Sequence, residues 1–302
     1  MILILSHWQS ILSKLNKPLA QALLLTFLLS TSLFSQAACN DEANEARLAG
    51  RIDDAMAILA DCLDDGLSKV ARTYLLLGLT HHEKKDHRKA IQDYTNAIET
   101  DPNYVTAYVN RGLSHSLEGH YSDALEDFDQ ALKLQPENMQ AYYFRAAAHE
   151  RKRKYQLAID DYSQSLLYVA DNTELVSVYY QRGLVYRKMG NNELAIADYT
   201  TAIQKNPEFV DAYFSRALVF QKSKQRDAAI ADYTRVIEFK PDSAEAFYNR
   251  GLLYRKAGTD HLAIRDYNKA IELKPRYTRA YVSKSYAYLI PLIPLLFVLL
   301  LG

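Results

Sequence analysis

The sequence predicts an all-α protein in which similar pairs of antiparallel helices follow one another along the chain. Segments of 34 residues recur, and aromatic and small residues within them fall at helical spacing. In the segment 176–209, Tyr179 and Gly183 share one helix face, Gly190 marks a turn, and a second helix must end before Pro207. A single pair of this kind cannot bury its apolar face, so neighbouring pairs must stack on each other.

Length, composition and charge narrow the class of protein. The chain has 302 residues, of which 49% are hydrophobic, and this is enough for a sizeable core. Its 36 basic and 36 acidic residues balance, so no nucleic-acid partner is predicted. The 23 tyrosines, against one tryptophan, belong mostly to the repeated segments.

Residues 1–37 have the features of a secretory signal peptide. Lys14 and Lys17 give a positive flank, residues 22–34 form an apolar run, and residues 35–37 offer small side chains at the usual cleavage spacing. We therefore expect this segment to be removed from an exported protein of the periplasm or cell envelope. Two alternatives stay open: an uncleaved membrane anchor, and a lipid on Cys39, since the residues before it resemble the end of a bacterial lipobox.

The C-terminal residues 278–302 are expected to hold an incomplete seventh repeat helix and a hydrophobic tail. Pro291 and Pro294 interrupt the apolar run that begins at Leu289. This run is shorter than the ~20 residues of a membrane-spanning helix. Three interpretations are open: a tail that dips into a membrane, a hydrophobic plug on the last repeat, and a truncated or frame-shifted end.

The repeats divide the rest of the chain. Residues 38–70 are predicted to form a degenerate N-terminal capping repeat, and six clear repeats then fill residues 71–277. The third repeat is three residues longer than the others. We expect the extra residues to lengthen the link at 171–173 between the third and fourth repeats. The lengthened link would form either a looser joint or a surface loop. The bounds of the six repeats are 71–104, 105–138, 139–175, 176–209, 210–243 and 244–277.

Four columns of residues recur across these repeats. An aromatic and a small residue mark each first helix, and an alanine followed four residues later by an aromatic marks each second helix. Small residues let two helix backbones approach, and the rings fill the gaps between them. The columns are Tyr74, Tyr108, Tyr142, Tyr179, Tyr213 and Phe247; Gly78, Gly112, Ala146, Gly183, Ala217 and Gly251; Ala90, Ala124, Ala158, Ala195, Ala229 and Ala263; and Tyr94, Phe128, Tyr162, Tyr199, Tyr233 and Tyr267.

This pattern resembles the tetratricopeptide repeat (TPR), which runs as an aromatic residue, Leu-Gly, tyrosine, alanine, phenylalanine and a closing proline over ~34 residues. The resemblance implies a right-handed superhelical solenoid of antiparallel helix pairs. It also implies a non-enzymatic scaffold or adaptor that binds partner proteins. Five of the six repeats carry the closing proline, at Pro102, Pro136, Pro207, Pro241 and Pro275.

Charged residues follow the same repeat. In five repeats an arginine of the first helix lies sixteen residues before an aspartate of the second, with the turn midway between them. We expect an ion pair across each of these hairpins. Asp93 is expected to lack such a partner, because Leu77 holds the arginine position. The pairs are Arg111–Asp127, Arg145–Asp161, Arg182–Asp198, Arg216–Asp232 and Arg250–Asp266.

No catalytic residue, metal or cofactor is predicted. The sequence carries no nucleophile elbow, phosphate-binding glycine loop, paired zinc motif or metalloprotease helix. His81, His115 and His149 share one column, but adjacent helices lie roughly 8–10 Å apart. Three nitrogens so placed cannot all reach the ~2 Å that a metal ion requires. An enzyme with an unrecognised site is the distant alternative.

A stripe on the first helices is predicted to bind a partner, because in the solenoids that this chain resembles it lines the concave groove. The expected ligand is an extended or helical protein segment with apolar anchors and acidic residues. Two rival explanations are open: the rings pack repeats together, and the cations complement the negative ends of helix dipoles. The aromatic residues are Tyr143, Tyr180, Phe214 and Tyr248, and the basic residues are Arg151, Arg187, Lys188, Lys222, Arg255 and Lys256.

The polar groove residues Asn110, Gln181 and Asn249 do not reproduce the carboxylate clamp of chaperone-binding TPR proteins. A chaperone tail is therefore not the expected ligand. Together with the predicted signal peptide, the repeats predict a scaffold of the bacterial cell envelope that binds peptide segments of other partner proteins in its groove. The alternative is a membrane-anchored adaptor in envelope assembly, held by a lipid or by the hydrophobic tail, so membrane association through that tail stays open.

Cys39 and Cys62, the two cysteines of the chain, are predicted to form a disulfide. Gly50 marks the turn of the first hairpin, with Cys39 eleven residues before it and Cys62 twelve after it, so the side chains should meet. An oxidising compartment permits the bond. A lipid on Cys39 would exclude it.

Overall fold

The computed structural model describes residues 37–64 and 71–289, and the predicted signal peptide up to residue 36 and the hydrophobic tail from residue 290 lie outside this part. The described residues form fifteen α-helices and no strand. None of these helices is both long enough and apolar enough to cross a membrane. The predicted all-α fold is confirmed.

The helices fall into two compact units, Met1–Pro136 and Glu137–Gly302. In the first unit, the described helices are α1 (37–48), α2 (Ile52–Asp64), α3 (Ala71–Glu83), α4 (His87–Thr100), α5 (Val105–Leu117) and α6 (Tyr121–Leu134). In the second, they are α7 (Met139–Arg151), α8 (Tyr155–Tyr168), α9 (Asn172–Met189), α10 (Asn192–Lys205), α11 (Val210–Lys222), α12 (Arg226–Phe239), α13 (Ala244–Lys256), α14 (Asp260–Leu273) and α15 (Thr278–Leu289).

Each helix pair closes through a residue with a positive φ angle. At the α9–α10 turn, Gly190 has a φ of 83°, and the backbone N–H of Asn191 donates to the carbonyl oxygen of Tyr186 at 2.9 Å. This pattern satisfies the last carbonyls of the helix and reverses the chain. Non-glycine residues adopt the same conformation at three other turns, where φ is 63° for Lys85, 59° for Arg153 and 59° for Lys224.

The two helices of a pair lie in close contact at the predicted small-residue column. A Cβ atom added to Gly183 would lie 2.8 Å from Cε1 of Tyr199, which is closer than two carbons can approach. The column alanine of α10, Ala195, is fully buried beside that ring. The small residue therefore creates the space that the aromatic ring occupies, as the sequence predicts.

The three extra residues of the third repeat extend a helix. Helix α9 has 18 residues, whereas α7 and α11 have 13 each. Asp171 caps α9, because its side chain accepts a hydrogen bond from the backbone N–H of Thr173 at 3.1 Å. The expectation that these residues lengthen the link was wrong, because this cap starts the helix earlier than the pattern of the other repeats suggests.

Helices α1 and α2 form the hairpin that precedes the six repeats. Cys39 and Cys62 are joined by a disulfide, and their Cα atoms lie 6.3 Å apart. This separation is within the usual range for a disulfide. Ala43, Ala55 and Leu59 fill the interior of the hairpin and are fully buried.

Candidate partner-binding groove

Ion pairs hold the first and second helix in register in five of the six repeats. Arg182 of α9 donates from Nε and Nη2 to the two carboxylate oxygens of Asp198 on α10, at 2.9 and 2.8 Å. Asp198 is only 5% exposed. The other four predicted pairs form as well, so the predicted ladder is confirmed; they are Arg111–Asp127, Arg145–Asp161, Arg216–Asp232 and Arg250–Asp266.

Four of these arginines, Arg111, Arg182, Arg216 and Arg250, also reach the preceding repeat. Nη1 of Arg182 donates to the hydroxyl of Ser163 on α8 at 2.9 Å. The guanidinium also lies over the rings of Tyr179 and Tyr186, at 5.5 and 5.8 Å from their centroids. One side chain therefore connects three helices, and this fixes the face that each first helix presents.

Asp93 has a partner in the structure, so the expectation that it lacks one was wrong. Nδ1 of His81 lies 2.6 Å from Oδ2 of Asp93, so the histidine takes the place that arginine occupies in the other repeats. Burial raises the pKa of Asp93, and the contact with His81 opposes that rise. The spacing of twelve residues, in place of sixteen, hid this pair from the sequence pattern.

The aromatic residues of the predicted stripe are half-buried, because each packs on the buried aromatic of its own second helix. Tyr180, for example, lies 5.9 Å from Tyr199, measured between ring centroids. The equivalent distances are 5.6 Å for Tyr143–Tyr162, 5.6 Å for Phe214–Tyr233 and 6.0 Å for Tyr248–Tyr267.

Two of these tyrosines also contact the next repeat. The hydroxyl of Tyr180 lies 3.3 Å from that of Ser215 on α11, and its ring lies 4.9 Å from Phe209. The hydroxyl of Tyr248 lies 3.5 Å from that of Ser283 on α15. The rival explanation, packing between repeats, therefore has direct geometric support. The partial exposure of the same rings leaves area for a ligand.

All six basic residues of the stripe lie in the last turn of a first helix, where they complement the helix dipole. Arg151, Lys222 and Lys256 are exposed. Lys188 forms an ion pair with Glu150. Arg187 and Arg255 are partly buried, and their positive charges act on the hydroxyls of Tyr199 and Tyr267, whose pKa values burial raises to about 12 each.

A polar pocket of about 450 Å³ opens between α7, α8 and α9, and it is the feature that combines ring and charge. It brings together three predicted residues, Tyr143, Arg151 and Lys188, whereas the other predicted residues lie outside it. Glu150 was missed, although it lies seven residues after Tyr143 and so on the same helix face. The lining consists of Tyr143, Ala147, Glu150, Arg151, Tyr162, Gln181 and Lys188.

The pocket is lined by groups that can bind a ligand. Lys188 pairs with Glu150 across it, and Arg151 adds a positive charge that is exposed. Gln181 supplies an amide, which both donates and accepts hydrogen bonds. Such a lining can bind a polar or acidic side chain, while the ring of Tyr143 offers an apolar contact beside it.

Comparison with protein families agrees with this architecture. A TPR repeat family matches residues 183–224 and 222–258, and two tetratricopeptide repeat families match residues 109–173 and residues 71–104 and 244–277. The chain belongs to the tetratricopeptide repeat family. TPR proteins are generally non-catalytic scaffolds that bind protein or peptide partners, and this TPR chain is a protein–protein interaction scaffold.

Solved structures of TPR proteins are similar to the chain. The structure of YrrB, described as a TPR protein with an unusual peptide-binding site, is 26% identical, with a TM-score of 0.56 over 64% of this chain and 97% of YrrB. MamA is 29% identical, with a TM-score of 0.51 over 56% and 97% of the two chains. PilF of Pseudomonas aeruginosa, at 16% identity and a TM-score of 0.60 over 72% and 97%, shares the fold. No curated protein matches the sequence significantly.

Proposed function

We propose that this TPR protein is an exported adaptor of the bacterial cell envelope that binds an extended or helical segment of a partner protein on the first helices of its second unit. The segment carries apolar side chains that contact the half-exposed rings and acidic side chains that contact the basic edge. The observation that carries the proposal is the pocket between α7, α8 and α9, in which Tyr143, Arg151 and Lys188 meet.

The geometry of the rings supports an anchoring role. Tyr143, Tyr180, Phe214 and Tyr248 repeat on successive first helices, and each is held in place by the buried ring beneath it. A ring that is already fixed loses little conformational freedom when a ligand covers its exposed part, which is why tyrosines are common at binding hot spots.

The exposed cations support the preference for acidic ligands. Arg151, Lys222 and Lys256 lie in the last turns of α7, α11 and α13, three of the four first helices that carry the rings of the stripe. Complementing the helix dipole does not use all the hydrogen-bond donors of such a side chain, so donors remain for a carboxylate. The likeness to YrrB, a TPR protein with a peptide-binding site, adds support at 26% identity.

The proposed compartment rests on the N-terminal sequence and on the cysteines. The basic flank and apolar run of residues 1–37 have the features of an export signal. The disulfide between Cys39 and Cys62 fits an oxidising compartment, because such bonds seldom persist in the cytosol. Intact-mass measurement of the exported protein tests both: a mature chain that lacks residues 1–37 and carries no acyl mass is expected.

The groove is best tested by its charges, because alanine at Tyr180 or Tyr248 would also remove contacts between repeats. We expect Arg151→Glu, in the pocket, combined with Lys222→Glu to reduce capture of acidic partner segments from envelope extract at least tenfold, with little change in melting temperature. Lys240→Glu is the matched control, because this lysine is also exposed but caps a second helix, α12.

The outcomes separate the groove from its rivals. Raised salt should weaken capture by the wild-type protein, because screening reduces interactions between exposed charges. If the double variant captures partners as well as the wild type does, the cations serve the helix dipole alone and the proposed groove is wrong. If the Lys240 control loses capture equally, the effect is one of net charge and the groove is again wrong.

A further inference from the structure

The hairpin between α5 and α6, in the first unit, brings together three side chains that metal ions favour. His115 is in the last turn of α5, His120 caps α6, and Asp123 is in the first turn of α6. One potential ligand atom from each of the three lies within 4.8 Å of the other two. We propose that these residues bind a divalent transition-metal ion, with Zn²⁺ as the ion that the donor set favours.

The backbone of the turn places the three residues. Gly119 has a φ of 84°, and the backbone N–H of His120 donates to the carbonyl oxygen of His115 at 2.8 Å. This hydrogen bond closes the helix end, so the two histidines lie side by side although five residues separate them. Asp123 follows three residues later, which is one helical turn beyond His120 and on the same face.

This arrangement differs from the column of His81, His115 and His149, which lie on three separate helices. All three ligands proposed here belong to one hairpin, and the relevant distances are those within a turn. Two imidazole nitrogens and one carboxylate oxygen form a common ligand set for zinc, and a water molecule completes the tetrahedral coordination. Copper and nickel ions also accept imidazole ligands.

A second carboxylate lies on the other side of His115. Its Nδ1 faces Oδ2 of Asp123 at 4.0 Å, and its Nε2 faces Oδ2 of Asp127 at 4.0 Å. A histidine that binds a metal through one nitrogen commonly directs its other N–H towards a carboxylate, which fixes the ring and strengthens the donor. Asp127 is held in place by its ion pair with Arg111, so it can serve this role without moving.

The hydrogen bonding of His115 supports metal binding. Its Nδ1 is buried and has no hydrogen-bond partner within the described residues. A ligand at this nitrogen would satisfy an atom that otherwise remains buried and unpaired.

Binding requires only a small movement of exposed groups. Ligand atoms in a tetrahedral zinc site lie about 3.4 Å apart, given metal–ligand distances near 2.0–2.1 Å. His120 and Asp123 are exposed, so their side chains can rotate towards His115, which is partly buried. The rotation preserves α6, because the side chain of His120 makes no capping hydrogen bond.

The test is calorimetric titration of the untagged, oxidised exported protein with ZnCl₂, followed by visible spectroscopy with Co²⁺. We expect one ion per chain and the intense absorption of tetrahedral Co²⁺. His120→Ala and Asp123→Asn should each weaken binding at least tenfold. His261→Ala, which removes an exposed histidine from the first turn of α14, should bind as the wild type does. The oxidised form is used because the disulfide keeps Cys39 and Cys62 from competing for metal.

The result that would overturn the proposal is equally specific. Absence of binding up to millimolar Zn²⁺, or binding that both variants retain, shows that the three residues do not form a site. Binding that is lost on His87→Ala instead assigns the ion to the neighbouring pair His82 and His87, whose ring centroids are 5.0 Å apart, and also refutes the proposal. Thermal melts of the two variants show that they remain folded, since both positions are exposed.

Discussion

Removing the carboxylate of Asp198 should destabilise the centre of the second unit. The substitution Asp198→Ala leaves Arg182 with its bond to Ser163 but without the two bonds to the carboxylate. The arginine cannot simply turn to water, because its side chain is only 17% exposed and the rings of Tyr179 and Tyr186 lie against it. A charge is therefore left partly buried without its counter-ion.

The size of the effect follows from this geometry. Breaking a fully buried ion pair by removing one partner costs about 3–5 kcal/mol of stability. The remaining exposure of Arg182 and its bond to Ser163 reduce the penalty, so we expect about 2–4 kcal/mol for Asp198→Ala. Arg182→Ala should cost a similar amount, because it removes the bond to Ser163 and the ring contacts as well.

A double-mutant cycle isolates the pair. Asp198→Ala, Arg182→Ala and the double variant are compared by urea unfolding, with hydrogen exchange of the amides in α9 and α10 to localise the change. The double variant should lose less stability than the sum of the single losses, by at least about 1 kcal/mol, because neither charge is then unpaired. Glu193→Gln on α10 is the control, since this acid is exposed and should cost within about 0.5 kcal/mol.

Two outcomes would contradict this prediction. Strictly additive losses would mean that the two residues act independently and that the repeated pair does not set helix register. A loss for Glu193→Gln as large as that for Asp198→Ala would mean that any change of charge on α10 is destabilising, whether or not it is paired.

Three further predictions concern the turns, the buried rings and the disulfide. Tyr199→Phe should make the free energy of unfolding less sensitive to alkaline pH. Burial raises the pKa of Tyr199 to about 12 from 10.0, so the stability that this group provides is complete below pH 10 and is lost as the pH rises towards 12. Urea unfolding across that pH range measures the loss. Lys224→Gly should stabilise the protein by about 0.5–1 kcal/mol in the same assay, because a φ of 59° strains a residue that has a Cβ atom. Gly190→Ala should destabilise the protein, because Gly190 has a φ of 83°. The native protein should show no free thiols, and reduction of Cys39–Cys62 should lower its free energy of unfolding by about 3 kcal/mol. Two titratable thiols would contradict the disulfide.

The repeated architecture could be predicted from the sequence because its causes are local. The spacing of Tyr179 and Gly183 sets one helix face, Gly190 ends that helix with a positive φ, and Pro207 prevents the next helix from continuing. The pairing of Arg182 with Asp198 followed from symmetry about the turn. None of these inferences needs a distance between residues that are remote in the chain, which is why periodicity sufficed.

The packing of the repeats against each other determines which stripe residues are buried and which are exposed. The sequence placed Tyr180 and Arg151 on one surface, but it did not reveal that the Tyr180 hydroxyl meets Ser215, or that Arg151 lines a pocket with Glu150. These contacts depend on the angle and offset at which one repeat packs on the next, to which many side chains contribute small amounts of energy. The periodicity of residues along a single helix determines which side chains face a neighbouring helix. The packing of whole helices determines which atoms those side chains contact.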